Sequence, residues 1–317
     1  MIFNKDNKGA KELRDLTGNY YANNDFHKIQ SDIRAASYYL TKVVGEAVYS
    51  RAVDAYLNGE ESGTDEGQIA DVPKFIELVQ RPIAIMATLQ MYRKNDVSHE
   101  DSGRKVTVSS DGTDKIPWEW QLDRDDAIHM EEYYQAVEQL IDYLNKTELK
   151  EWMESEQKQL ADTLLIRSGR EFDKYFPIQS SERMYLLLVG FIREVQIRYI
   201  RPAYGTDKWD DLLKDRSTPE NEVRFAACKA TALLSMSLAM LRMPLQLIPG
   251  GVVRNYMSEN GMRESLPASI DDVKRLASWL QQDATDWIAQ MKDLRDGNTG
   301  DISLLPENDR HNKYCLL

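Results

Sequence analysis

A chain of 317 residues is longer than one hydrophobic core usually serves, because cores stop growing and chains divide near about 250 to 300 residues. Hydrophobic residues make up 42% and charged residues 29%, an ordinary globular balance that excludes wholesale disorder. The net charge of −12, with no run that reads as a basic stripe, argues against sequence-reading DNA binding, which needs clustered Lys and Arg against phosphate; only a minority patch could supply them. Two cysteines, Cys228 in an apolar run and Cys315 third from the end, suit a reducing compartment and rule out prenylation. The N-terminus, Met1 to Lys8, turns polar at once and has no secretory h-region, so the protein is expected to stay where it is made. The longest apolar stretch, Ala226 to Pro244, holds Lys229 and Arg242 and reads as a buried helix rather than a membrane span.

Along the chain, Phe26, Ile29, Ile33, Ala36 and Leu40 recur at spacings of three and four, the signature of an amphipathic helix, and Gly45 breaks it. A shorter helix through Tyr49, Val53 and Tyr56 follows, and then an acidic, glycine-rich loop from Asn58 to Asp71. Pro73 suits the first turn of a long helix carrying Phe75, Ile76, Val79, Ile83 and Leu89, which Pro82 should bend. Arg104, Val106 and Val108 alternate after the polar group Ser98 to Gly103, which predicts a small β-hairpin. Trp118 and Trp120 read as an aromatic-anchored loop, with Asp123 or Asp125 capping a closing helix through Tyr133, Val137, Leu140 and Leu144.

The same order then recurs. Lys174-Tyr175-Phe176 echoes Asn19-Tyr20-Tyr21, and the helix from Tyr185 to Ile200 runs to Gly205 as the first runs to Gly45. Trp209 and Leu212 take the place of Tyr49 and Val53, and Pro219 that of Pro73. Phe225 to Leu241 mirrors the long helix, Pro249 to Val253 the hairpin, and Asp271-Asp272 opens a last helix through Leu280 and Met291. The offset between matched features drifts from roughly 160 to roughly 146, which places length changes in loops. The expected fold is mainly α: two tandem helical-bundle modules, each with a small β-hairpin insertion. Its parts are an N-terminal module over 1–146, a linking helix over 147–172, a C-terminal module over 173–296 and an extended tail over 297–317.

No nucleotide loop, nucleophile elbow, zinc-helix or paired-cysteine signature occurs, so neither catalytic residues nor a cofactor are expected. The group Asp123, Asp125, Asp126, His129, Glu131 and Glu132 has enough ligands for a metal-dependent enzyme, but carboxylates at a helix start also serve as caps and favour the helix dipole; no metal is expected there. The methionines Met236, Met240 and Met243 read as core. His99, Arg104, Trp118 and Trp120 are the candidates for a hairpin-borne interface.

The run Val97 to Val106, the Pro117-Trp118-Glu119-Trp120 segment and the helix from Tyr134 to Leu144 resemble a family of structural proteins encoded by phages and prophages of gut bacteria. The helix, helix, hairpin, helix order of each half is also similar to the head-to-tail connector adaptors of tailed phages, which form a ring beneath the portal and extend the DNA channel. That resemblance implies a virion protein made in the host cytoplasm, assembled as a homo-oligomeric ring against the portal and further tail or ring proteins. DNA would pass through without specific binding, and no membrane would be involved. Such adaptors commonly have one module and dock through a C-terminal segment; this chain has two, and the matching feature is the tail, with Ile302, Leu304, Leu305, Leu316 and Leu317 as apolar anchors. The other reading is a cytosolic helical protein-binding module that forms no ring.

Overall fold

Apolar residues at helical spacing need a partner surface, and the helix Val72–Asn95 supplies it for the first half of the chain. The computed structural model describes residues 1–18, 25–59, 69–100, 103–105, 118–215, 221–243, 245–248, 251–254 and 269–297. These are mainly helical and divide into two compact units, Met1–Val189 with Pro244–Ser269, and Gly190–Met243 with Ile270–Leu317.

In the first unit, α1 (Gly9–Thr17), α2 (Phe26–Val44), α3 (Glu46–Asn58) and α5 (Glu119–Thr147) all pack on α4 (Val72–Asn95). Asp25 opens α2 by accepting the His27 N–H at 3.1 Å, and Ile29, Ile33, Ala36 and Leu40 are its buried stripe. Gly45 ends it at φ 90°, where a side chain is strained, and donates its N–H to the Thr41 carbonyl at 2.8 Å; the chain turns there into α3. The Asp71 carboxylate accepts the Lys74 N–H at 3.0 Å to start α4, with Pro73 in the first turn. The helix continues without a break through Pro82, whose ring offers no donor to the Leu78 carbonyl. Beneath α4 lie Ile2 and Phe3, both buried, and Gln80 Nε2 holds the Ile2 carbonyl at 2.6 Å.

Two expectations fail in this unit. Residues 147–172 are not one linking helix but three short ones, α6 (Lys150–Met153), α7 (Glu156–Asp162) and α8 (Gly169–Asp173). Ser155 and Ser168 are the reason, since each caps a new helix with its hydroxyl, on Lys158 N–H at 3.3 Å and Glu171 N–H at 3.1 Å. Leu149 and Trp152 join the first unit's core, and the Trp152 indole donates to Asn145 Oδ1 at 2.9 Å. The second failure is the start of α5, which begins at Glu119 rather than at Asp123 or Asp125, because the Gln121 side chain accepts the Trp118 N–H at 2.9 Å and holds the turn before them.

The second half of the chain repeats the layout. Helix α9 (Glu182–Val195) passes through a π-turn, Gln196–Ile200, into α10 (Arg201–Tyr204). The Arg201 N–H reaches five residues back to the Gln196 carbonyl, one residue before Pro202 removes the next donor. Gly205 ends this segment at φ 110° and donates to the Arg201 carbonyl at 3.0 Å, as Gly45 does to Thr41. Next come α11 (Trp209–Lys214), α12 (Glu222–Arg242) and α13 (Ile270–Arg295), the last with Asp271 and Asp272 in its first turn. Asn221 caps α12 through the Val223 N–H at 2.9 Å; Pro219, the expected counterpart of Pro73, lies outside the described residues. Helix α12 is the one described helix long and apolar enough to cross a membrane, but most of it is buried along α13 in its own unit.

Strand content among the described residues is two short antiparallel ladders. β1 (Ser98–Glu100) pairs with β2 (Gly103–Lys105), and β3 (Leu245–Ile248) with β4 (Gly251–Arg254). Val106 and Val108, whose alternation suggested the first hairpin, lie outside the described residues. Gly45 and Gly205 stand 160 residues apart, whereas the ends of α4 and α12 at Asn95 and Arg242, and the starts of β1 and β3 at Ser98 and Leu245, stand 147 apart. Most of the length difference lies between the glycine and the long helix, whose caps Asp71 and Asn221 stand 150 apart, and the rest lies in the helix itself, 24 residues in α4 and 21 in α12.

Candidate functional site

Among the expected interface residues the structure pairs two. His99 and Arg104 are partners across the first ladder. Trp118 and Trp120 are not loop anchors: one caps α5 and the other lies in its first turn, with 71% and 47% of their surface exposed. Ile302, Leu304, Leu305, Leu316 and Leu317 lie outside the described residues.

The acids of α5 do not gather round one point. Asp126 is engaged by the Arg93 guanidinium of α4 at 2.7 Å. His129 is buried, edge-on to Tyr92 at 5.9 Å between ring centres, with Nδ1 2.9 Å from the Asp125 carbonyl. Among the described residues no three His, Cys, Asp or Glu side chains are grouped as a metal site. Asp126 thus joins two helices where it had been read as a cap. Met243 is 43% exposed, so the methionine run is not all core, and Cys228 is buried in α12 among Ala226, Ala227 and Ala230.

What the acids and rings of α5 do form is an outward face. Trp120, Ile128 and Tyr134 are exposed at positions that a helix brings to one side, with Asp123 and Glu131 among them. The Arg183 guanidinium lies over the Tyr134 ring at 3.9 Å.

A second outward face was missed altogether. Lys28, Arg34, Tyr38 and Lys42 line the solvent side of α2 at helical spacing, with Tyr39 beside them. The two tyrosines are 61% and 51% exposed, and the Lys42 ammonium lies 4.4 Å from the centre of the Tyr38 ring. The one acid of α2, Asp32, faces inward, buried and paired with Lys94. Helix α2 therefore shows solvent no carboxylate at all. This face is the kind of minority patch that the overall charge left open, because an average over a chain of −12 conceals one helix face; a helical projection of residues 28 to 42 reveals it.

Buried polar chemistry concentrates at the start of α9. The Glu138 carboxylate of α5 accepts from Ser181 Oγ at 2.8 Å, Glu182 N–H at 2.5 Å and Arg183 N–H at 3.1 Å, capping α9 from another helix. Burial pushes the Glu182 carboxyl above its ordinary range; the N–H groups of Gly169 and Arg170 pull it back, and the Glu138 charge adds to the rise. These are structural roles, a long-range cap and its neighbour.

No curated protein and no solved structure matches the chain. A family model, however, matches it in two regions, residues 40–160 and residues 200–312. Their starts are 160 residues apart, the separation of Gly45 and Gly205, and their ends 152 apart. Two such regions are compatible with tandem duplication, and since together they cover well over half of the sequence, the chain belongs to DUF6712, a family of unknown function.

Proposed function

We propose that the chain is a structural protein of phage particles, a head-to-tail connector adaptor built from two tandem copies of one module, each with a short hairpin insertion. The observation that carries this reading is the repeated order of helix, glycine break, short helix, capped long helix, two-strand ladder and closing helix, in step with the two family matches. Copies of the chain form a ring on the portal protein and meet further tail or ring proteins on the other side. The tail anchors Ile302, Leu304, Leu305, Leu316 and Leu317 seat in the portal. The net charge of −12 supports an acidic channel wall, past which DNA slides without the counterion release that would hold it. No catalytic step or cofactor is required.

The test is to purify particles from a host strain carrying the gene, quantify the chain by mass spectrometry and image the particles by electron microscopy. The expected result is many copies per particle, in a ring next to the portal, lost from particles when residues 298–317 are deleted while both units still fold. Particles that lack the protein overturn the reading.

A further inference from the structure

The outer face of α2 is a prepared surface. Its cations Lys28, Arg34 and Lys42 run along about 21 Å of helix, at 1.5 Å per residue, with no exposed acid among them. Among the described residues none of the three is paired with a carboxylate, and Tyr38 and Tyr39 stand in water between them. Exposed aromatics flanked by charge of one sign are what an interface offers before it is covered, since buried rings supply affinity and charge supplies register.

The same unit carries the matching surface. The outward face of α5 presents Trp120, Ile128 and Tyr134 together with Asp123 and Glu131; Arg124 also stands exposed among them, but with Glu119 and Asp125 exposed nearby the start of α5 keeps an acidic balance. Both α2 and α5 pack on α4 with their buried stripes, so their outward faces are open to a neighbour except where the Arg183 guanidinium covers the Tyr134 ring. We infer that the α2 face of one copy docks on the α5 face of a second copy of this chain. Because the two surfaces differ, the contact is head-to-tail, and each copy keeps one surface of each kind for its two neighbours.

A nucleic acid is the poorer fit for the same cations. Backbone binding of useful strength engages roughly 6 to 10 phosphates, and α2 offers three cations on a chain that is otherwise strongly acidic. The mating acids and rings on α5 have no role in that alternative. The inference deepens the ring reading, since a ring needs a head-to-tail contact, yet it is decided separately: particles decide the ring, and the purified chain decides the surfaces.

The experiment uses the full-length chain in sedimentation velocity and mass photometry at low and high salt. One variant reverses the α2 charges, Lys28→Glu with Arg34→Glu; the other reverses the α5 charges, Asp123→Lys with Glu131→Lys. All four side chains are exposed, and circular dichroism melting checks that each variant folds. The expected result is wild-type self-association that weakens with salt, loses at least about tenfold in affinity in either variant, and is regained in an equimolar mixture of the two. Association untouched by both reversals, or a mixture that fails to recover it, overturns the pairing of surfaces and leaves the ring reading standing. A wild-type chain that stays single at every concentration overturns it too. So does a fluorescent DNA duplex whose binding is abolished by the α2 variant while self-association is unchanged, since the face then serves phosphate.

Discussion

Helices α4 and α12 hold the same place in the repeated order and fill it with different material. The buried side of α4 carries Phe75, Val79, Ile83, Ile85 and Leu89, and helices pack on it from several directions. That of α12 carries Leu233, Leu234 and Leu238 but is richer in small residues, Ala226, Ala227, Ala230, Ala232 and Ser235, and its long neighbour is α13. Small residues let two helix backbones approach closely, and Ser237 Oγ donates straight to the Ala277 carbonyl of α13 at 3.0 Å. One layout thus leans more on side-chain volume in the first half and adds close backbone approach in the second. A repeated fold preserves the order of its elements more strictly than the means of packing them.

The largest expected effect follows from volume. Phe75 is fully buried and stacks near Tyr143 at 6.2 Å between ring centres, so Phe75→Ala leaves a cavity beneath α4 and should cost about 3 to 5 kcal/mol of unfolding free energy. Urea unfolding of the full chain measures it. A loss below about 1 kcal/mol would mean that α4 collapses onto its neighbours, and the contrast with α12 would weaken.

Close approach reverses the sensitivity. Ala277 is buried against α12, and Ala277→Leu forces α12 and α13 apart at an expected cost of about 1 to 3 kcal/mol. Enlarging Ala84 of α4 in the same way tests the other half. If both enlargements cost the same, the two helices differ in composition but not in packing principle.

Most of the fold was legible because it is local. The spacing from Phe26 to Leu40, the Gly45 break and the Pro73 helix start each name their element, and their echoes at Gly205 and Asp271-Asp272 give away the repeat. Where reading failed, a side chain had two local uses. Ser155 and Ser168 are as compatible with a helix interior as with a cap, and only their hydroxyl geometry decides. Gln121 outcompeted Asp123 for the start of α5 by reaching back to Trp118 N–H. The candidate interface was read least well, because attention to buried stripes hides what the opposite side of the same helix presents. On α2 that side is Lys28 to Lys42, which no total of charge could reveal.

Both long helices are capped locally, and the caps should be equivalent. Asp71→Ala removes the acceptor of the Lys74 N–H, and Asn221→Ala that of the Val223 N–H; each should cost about 0.5 to 2 kcal/mol by thermal unfolding. A much larger loss at one of them would show that its cap also orders the preceding loop.

The smallest effect concerns how the two repeats begin. Helix α2 starts with its own Asp25, whereas α9 starts under a carboxylate borrowed from α5, with the half-buried Glu182 in its first turn. Burial raises the Glu182 pKa above its ordinary value, so the folded chain holds that proton more tightly than the unfolded chain. Between the unfolded carboxylate range and the raised folded value, unfolding releases protons, and stability therefore falls as pH rises through that window. Below it Glu182 is protonated in both states and the penalty is gone; above it the ionised, half-buried carboxylate beside Glu138 is a persistent cost. Glu182→Gln keeps an oxygen for the Arg170 N–H, now 3.4 Å away, and carries no charge. The variant should melt above the wild type at neutral pH, and the difference should vanish as pH drops below the carboxylate range. If it melts lower at neutral pH, the hydrogen bonds from Gly169 and Arg170 to the charged form outweigh burial, and the start of α9 is stabilised by its second carboxylate rather than strained by it.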